Sequence, residues 1–239
     1  MSYDPSYQRP QAGYAATPAV DAGLQAYMHN VYHTMGLGLV VTGLTAFGVA
    51  SVPALFNLIF GTPLAWIAML APLGFIWFGF TPARIARMPS EKLKLTFVLF
   101  SAVMGISMAA IFHVFTGASI ARVFFITAAT FAATSLYGYT TKRDLTGVGS
   151  FLFMGLMGIF IAMIVNIFLH SAMVQFVVSA MGVLIFTGLT AWETQRLKEL
   201  YSAGAGEANA KTAIVGALSL YLNFINLFQM LLQFMGDRR

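Results

Sequence analysis

Seven apolar runs, each close to the ~20 residues a helix needs to cross the hydrocarbon of a bilayer, follow one another along this chain with little sequence between them. A soluble core of 239 residues has no room for that much apolar surface. Hydrophobic residues make up 59% of the chain and charged ones 9%, with a mean hydropathy of +0.79. In lipid a helix satisfies its own backbone hydrogen bonds, so the sequence predicts an all-α, polytopic membrane protein with seven transmembrane helices.

The runs cover about residues 27–52, 62–80, 95–115, 119–139, 147–169, 173–191 and 212–234, the sixth projecting as a helix toward Tyr201. Residues 1–23 carry Pro5, Pro10 and Pro18 and no apolar run, which argues against a signal peptide and reads as a disordered cytoplasmic tail. Residues 24–239 then form the seven-helix transmembrane domain. Pro53 to Gly61 reads as a short uncharged connection, and Pro72 as a kink site in the second span. Gly36, Gly38, Gly43 and Gly48 are expected to let neighbouring helices approach the first span. Lys and Arg fall unevenly between alternate loops. Arg9, then Arg84, Arg87, Lys92 and Lys94, then Lys142 and Arg143, then Arg196, Lys198 and Lys211 share one side; Arg122, Arg238 and Arg239 share the other. The positive-inside rule therefore places the N-terminus in the cytoplasm and the C-terminus outside.

Within the last run, Ser219, Asn223, Asn226, Gln229 and Gln233 fall on one side of a 3.6-residue helix and leave the rest apolar. Amides without partners are costly in lipid, so this helix should be central, its stripe facing other helices or water. Glu193 follows a long apolar run, in Ala191-Trp192-Glu193-Thr194-Gln195, unlike the other acids, which lie among polar residues. It reads either as a functional intramembrane acid or as an edge carboxylate paired with Arg196. Gln195 and Arg196 would support it. The cations of the second loop, including Arg84 and Arg87, read as topology signals that could also hold anionic headgroups or nearby carboxylates.

Several chemistries are disfavoured. Without cysteine there is no disulfide, thiol nucleophile or Cys-ligated metal. His29 and His33 have the i, i+4 spacing of metal ligands, yet the predicted topology puts His113 and His170 at the opposite membrane face, so no third histidine can join them. No serine sits in a nucleophile elbow. The expectation is a protein that is not an enzyme and carries no cofactor or metal. The positive charge lies beside apolar runs, which points to the lipid bilayer and away from nucleic acid. Composition leaves an ion or proton path, or a conformational switch.

Ala217-Leu-Ser-Leu-Tyr-Leu-Asn-Phe-Ile-Asn-Leu-Phe228 resembles the last-helix signature of the Bax inhibitor-1 family, also called the transmembrane Bax inhibitor motif family, and in particular its bacterial YccA-like members. Ala191-Trp-Glu-Thr-Gln-Arg196 resembles the element that closes the family's sixth helix, and Asn166-Ile-Phe-Leu169 the end of its fifth. The resemblance spans about residues 27–235. It implies a seventh helix surrounded by the other six, and in some members a slow, pH-sensitive Ca²⁺ leak gated by two acids that share a proton. It also implies a bacterial cytoplasmic (inner) membrane location and, for YccA-like members, modulation of the membrane AAA protease FtsH through the N-terminal tail. Carried over, the first acid falls on Glu193 and the second on Asn223, which cannot titrate, so the pH gate is expected to be weakened here. Ser219 and Asn226 complete the candidate path, with Ca²⁺ or another cation as its passenger. Depth counting puts Glu193 about 5 Å and Asn223 about 18 Å inside the membrane edge. The contact that the resemblance implies requires the sixth helix to project toward Tyr201 and the seventh to enter beyond Ile214.

Overall fold

A computed structural model describes residues 18–239, with side chains placed from residue 22 onward. Residues 1–17 of the expected tail lie outside the described residues, and residues 18–23 open the first helix. The helices are α1 (Pro18–Ser51), α2 (Pro53–Phe60), α3 (Leu64–Gly79), α4 (Pro82–Arg87), α5 (Ser90–Met108), α6 (Ile111–Val114), α7 (Gly117–Thr140), α8 (Thr146–Leu169), α9 (Ala172–Glu199) and α10 (Gly206–Met235). Six of them, α5 being continued by α6, are long and apolar enough to cross a membrane. The fold is all-α, as the periodicity predicts.

The expected connection over Pro53 to Gly61 is instead the helix α2, bent by 81° against α3. Pro53 explains its start, because proline lacks the N–H that a first helical position leaves unpaired. Hydrogen bonds and packing decide how often the chain crosses. At one end of the bundle, Tyr27 near the start of α1 packs on Tyr201, just after α9, at 5.6 Å between ring centroids. The backbone N–H and hydroxyl of Ser90 at the start of α5 donate to Glu207 in the first turn of α10 at 2.7 and 2.8 Å. The starts of α1, α5 and α10 therefore share one end. Since α1 leaves that end and α5 begins there again, the bent pair α2–α3 makes one return crossing, which brings the total to seven.

The other end is tied by the C-terminal residues. The Thr116 N–H donates to the Asp237 carbonyl at 3.0 Å, the Asp237 N–H to the Ser119 hydroxyl at 2.9 Å, and Arg122 pairs with Asp237 at 2.8 Å.

Helix α10 is the central element. Two-thirds of its apolar window is buried (67%), against 6% for α8, which turns nearly all of its surface to lipid. Tyr221, Leu220 and Leu227 of α10 are fully enclosed, and Phe97 and Phe100 of α5 meet Tyr221 edge-on at 5.5 and 5.8 Å. Aromatic edges suit a ring face electrostatically, and between helices in lipid such packing has to replace the hydrophobic drive of water. The helix is not ringed by six neighbours, as the resemblance implied. It packs chiefly on α1, α5, α7 and α9, with α3 held through α5 and α8 through α9.

The first-span glycines need a correction as well. Only Gly38 meets a neighbour, where an added Cβ would strike Phe97 and Ser101 of α5; Gly36, Gly43 and Gly48 face open space. Close α7–α9 contact is made instead by Gly138, whose added Cβ would fall on the Ala191 carbonyl.

Candidate functional site

Glu193 lies on the inner face of α9, six residues before the end of that helix, and only 6% of it is exposed. The helix does project past the acid to Glu199. Arg196, one turn on, donates Nη1 to Glu193 Oε2 at 3.5 Å, a long contact from a half-exposed guanidinium to a buried carboxylate. From α10 the Ser219 hydroxyl faces the same carboxylate. From α1, Tyr27 stands within coulombic range of it, and the Tyr27 hydroxyl is buried with no hydrogen-bond partner. The acid is thus enclosed by three helices.

Asn223 follows Ser219 by one turn, about 6 Å further along α10 and away from the end where that helix begins. Among the described residues no hydrogen bond joins it to Glu193. Asn226 turns its amide back to the Leu222 carbonyl at 2.8 Å, which satisfies its donor within its own helix. Ser219, Asn223, Asn226 and Gln229 are all half-buried while the apolar face of α10 is closed, so the polar stripe lies along a looser seam. Toward the far end Gln233 borders two small cavities, the first between α10 and the α5–α6 segment, the second among α8, α9 and α10. One, of about 170 Å³, is lined by Ser107 and Gln229; the other, of about 190 Å³, by Asn166 and Gln175. Gln175 reaches Gln233 at 3.5 Å. Ser107 and Gln175 escape the sequence reading; for Gln175 the available signal is a lone amide within the first turn of an otherwise apolar run.

Gln195 does not face the seam. Its Oε1 accepts the Leu145 N–H and its Nε2 donates to the Arg143 carbonyl, both at 2.8 Å, so it clamps the α7–α8 turn. Arg84 and Arg87 sit on the short, exposed α4, away from Glu193 in sequence and in element packing. Beside the acid, a chain of hydroxyls crosses from α1 to α9. Thr194 donates to the Thr190 carbonyl at 2.8 Å, so it must accept from Ser135 at 3.0 Å, and Ser135 from Tyr32 at 2.7 Å. Every donor points toward α9, ending on a carbonyl that cannot pass a proton on; the chain is a brace and not a wire.

His29 and His33 stack at 6.2 Å, while His113 stacks on Phe56 near the opposite end of the bundle. Among the described residues no three His, Asp or Glu are grouped to hold a metal ion.

The chain is similar over nearly its full length to known membrane proteins. The family model described as Inhibitor of apoptosis-promoting Bax1 matches residues 24–239. Inner membrane protein YbhL of Escherichia coli is 43% identical over 228 residues, covering 91% of this chain and 94% of its own. Protein RP147 of Rickettsia prowazekii is 44% identical, covering 92% of each chain. A membrane protein of Streptococcus pyogenes serotype M1 is 33% identical, covering 90% of this chain and 94% of its own.

Proposed function

The chain belongs to the Bax inhibitor-1 family, and on that premise we propose that it conducts a slow cation leak, Ca²⁺ included, along the α9–α10 seam, from a bacterial inner membrane location. The observation that carries this reading is Glu193, an acid 6% exposed among apolar helices and placed where the polar stripe of α10 begins. Intramembrane carboxylates are expensive and sit on ion or proton paths far more often than in lipid-facing positions. In this reading Glu193 and Ser219 receive the cation, Asn223 and Asn226 line the next turn, and the amides around Gln233 form the far mouth. Carboxylate and amide oxygens suit a hard cation. Arg196 competes for Glu193, so the path is closed while their ion pair holds.

With an amide at position 223, only one titrating group remains at the site, and the leak should vary weakly with pH. Ca²⁺ flux into liposomes holding the purified protein tests the proposal: wild type should conduct without any partner and Glu193→Gln should fall to the rate of empty vesicles. Equal flux for the two would remove Glu193 from the path. An alternative reading, a non-conducting modulator of the protease FtsH acting through the N-terminal tail, rests on the resemblance to YccA-like members and on the tail of residues 1–23. Wild-type liposomes without flux would favour it.

A further inference from the structure

Apart from the two cavities at Gln233, another opens sideways between α1 and α7 near the end of the bundle that holds the C-terminal residues. Its volume is about 310 Å³. Leu39, Gly43 and Ala46 form one wall, Ala121 and Phe125 the other, and Phe224 and Phe228 of the central α10 the floor. The groove is lined by apolar side chains, and even a closed apolar cavity of about 150 Å³ stays dry and takes up a small hydrocarbon. This one is about twice that size. It lies between two membrane-spanning helices, at a depth where the surrounding medium is hydrocarbon.

The rim supplies the second half of the argument. The turn that leads from α6 into α7 joins two segments lining the cavity, and it is bound to the C-terminal residues. Arg238 lies over the Phe115 ring at 5.8 Å, the Arg239 N–H donates to the Val114 carbonyl at 3.0 Å, and Arg122 pairs with Asp237. Arg238 and Arg239 leave this rim positive beyond the Arg122–Asp237 pair. An apolar slot under a basic rim has the layout of a phospholipid, acyl chain inward and phosphate at the interface.

We propose that the α1–α7 cavity is a binding site for one acyl chain of an anionic phospholipid from the leaflet at the C-terminal end, its phosphate held by the arginines of the rim. The chain would rest against Phe224 and Phe228, on the face of α10 turned away from Glu193, and so would steady the central helix from behind. The site stands apart from any conduction.

Gly43 makes the test clean, because a Cβ there meets nothing within 4 Å and faces the cavity, whereas Gly48, equally open, lies beyond its walls. The full-length protein purified in detergent is mixed with dioleoyl phosphatidylglycerol and weighed by native mass spectrometry, each variant being first shown to melt cooperatively. Wild type and Gly48→Phe should retain one phospholipid; Gly43→Phe should hold it at least tenfold more weakly, Gly43→Ala less than wild type, and dioleoyl phosphatidylcholine should bind wild type several-fold more weakly. Three results would overturn the proposal: no retained lipid on wild type, undiminished retention by folded Gly43→Phe, or displacement of the phospholipid by an equal amount of oleate. Equal retention of the two phospholipids would overturn the selectivity for an anionic headgroup.

Discussion

At the scale of single residues, the Tyr27 hydroxyl is, among the described residues, the buried side-chain group left without a partner, and it stands near Glu193. A lone buried hydroxyl costs free energy, so Tyr27→Phe should leave thermal stability unchanged or slightly raised if the hydroxyl serves no purpose. If it helps hold a cation or water at Glu193, the same change will lower Ca²⁺ flux without lowering the melting temperature; flux and stability measured on one preparation separate the two. Asn223 sets up a sharper experiment. Asn223→Asp would place a second carboxylate one turn beyond Ser219, where two like charges can coexist only by sharing a proton or a cation. Its flux in liposomes should become strongly pH-dependent, and Glu193→Gln in that background should flatten the profile again. A flat profile for folded Asn223→Asp would mean that the two positions act apart. Both residues were visible in the sequence as polar interruptions of apolar runs. Ser219, whose hydroxyl lies near Glu193, stands one turn nearer than Asn223 to the end where α10 begins, and residue counting from a supposed membrane edge does not reveal this because it ignores how far α9 extends beyond that edge.

Among the elements, the α7–α8 turn and the α7–α9 contact decide how firmly α9 holds its acid. Gln195 satisfies the buried Leu145 N–H and the Arg143 carbonyl together, so Gln195→Leu should destabilise the protein by about 1–3 kcal/mol, read as a lower melting temperature. In the same turn the Asp144 carboxylate accepts the Thr146 N–H at 2.8 Å, and its bonds to Thr146 hold it below the usual aspartate range. A lowered folded value means that Asp144 stabilises the fold above the ordinary aspartate pKa and loses that contribution as pH falls through its own lower value. Asp144→Ala should therefore melt earlier than wild type near neutrality, and the difference should close in acid. Gly138→Ala forces a Cβ onto the Ala191 backbone, two residues from Glu193, and should cost about 1–3 kcal/mol. Gly43→Ala should be neutral or gain up to about 1 kcal/mol, since an exposed helical glycine carries only an entropic cost. Gly138 stands between Tyr137 and Tyr139 and Gly43 between Thr42 and Leu44, and neither setting says which glycine meets a backbone; the direction each helix presents to its neighbours, a property of the assembled bundle, does. The helices themselves are legible because composition and length fix them, while the sequence over α2 reads as a connection because eight residues are too short to signal a span alone.

For the whole molecule, the contacts fix relative placement: the starts of α1, α5 and α10 share one end, and the C-terminal residues lie at the other. They do not say which end faces the cytoplasm, and charge supplies that step. The end carrying α4 and the start of α5 bears Arg84, Arg87, Lys92 and Lys94, and the turns beside it add Lys142, Arg143, Arg196, Lys198 and Lys211. The opposite end holds only Arg122, Arg238 and Arg239, and Arg122 is paired with Asp237. Cations close to membrane spans are retained on the cytoplasmic side, so the bundle should insert with the start of α1 inside and the C-terminus outside. In that orientation the Glu193–Arg196 pair faces the cytoplasm and the amide-lined cavities around Gln233 face outward, which makes Glu193 the inner end of the proposed path. Reporter fusions at the C-terminus and in the α7–α8 turn decide it: the first should report outside and the second cytoplasmic. A cytoplasmic C-terminus with a cytoplasmic α7–α8 turn would mean that α10 fails to cross in the cell, against the bonds that tie Asp237 to Thr116 and Ser119 at the far end. Reversal of both reporters would mean an inverted bundle or a bent α2–α3 pair that fails to cross, and in either case would put Glu193 at the outer mouth, where external cations, and not cytoplasmic ones, would meet it first.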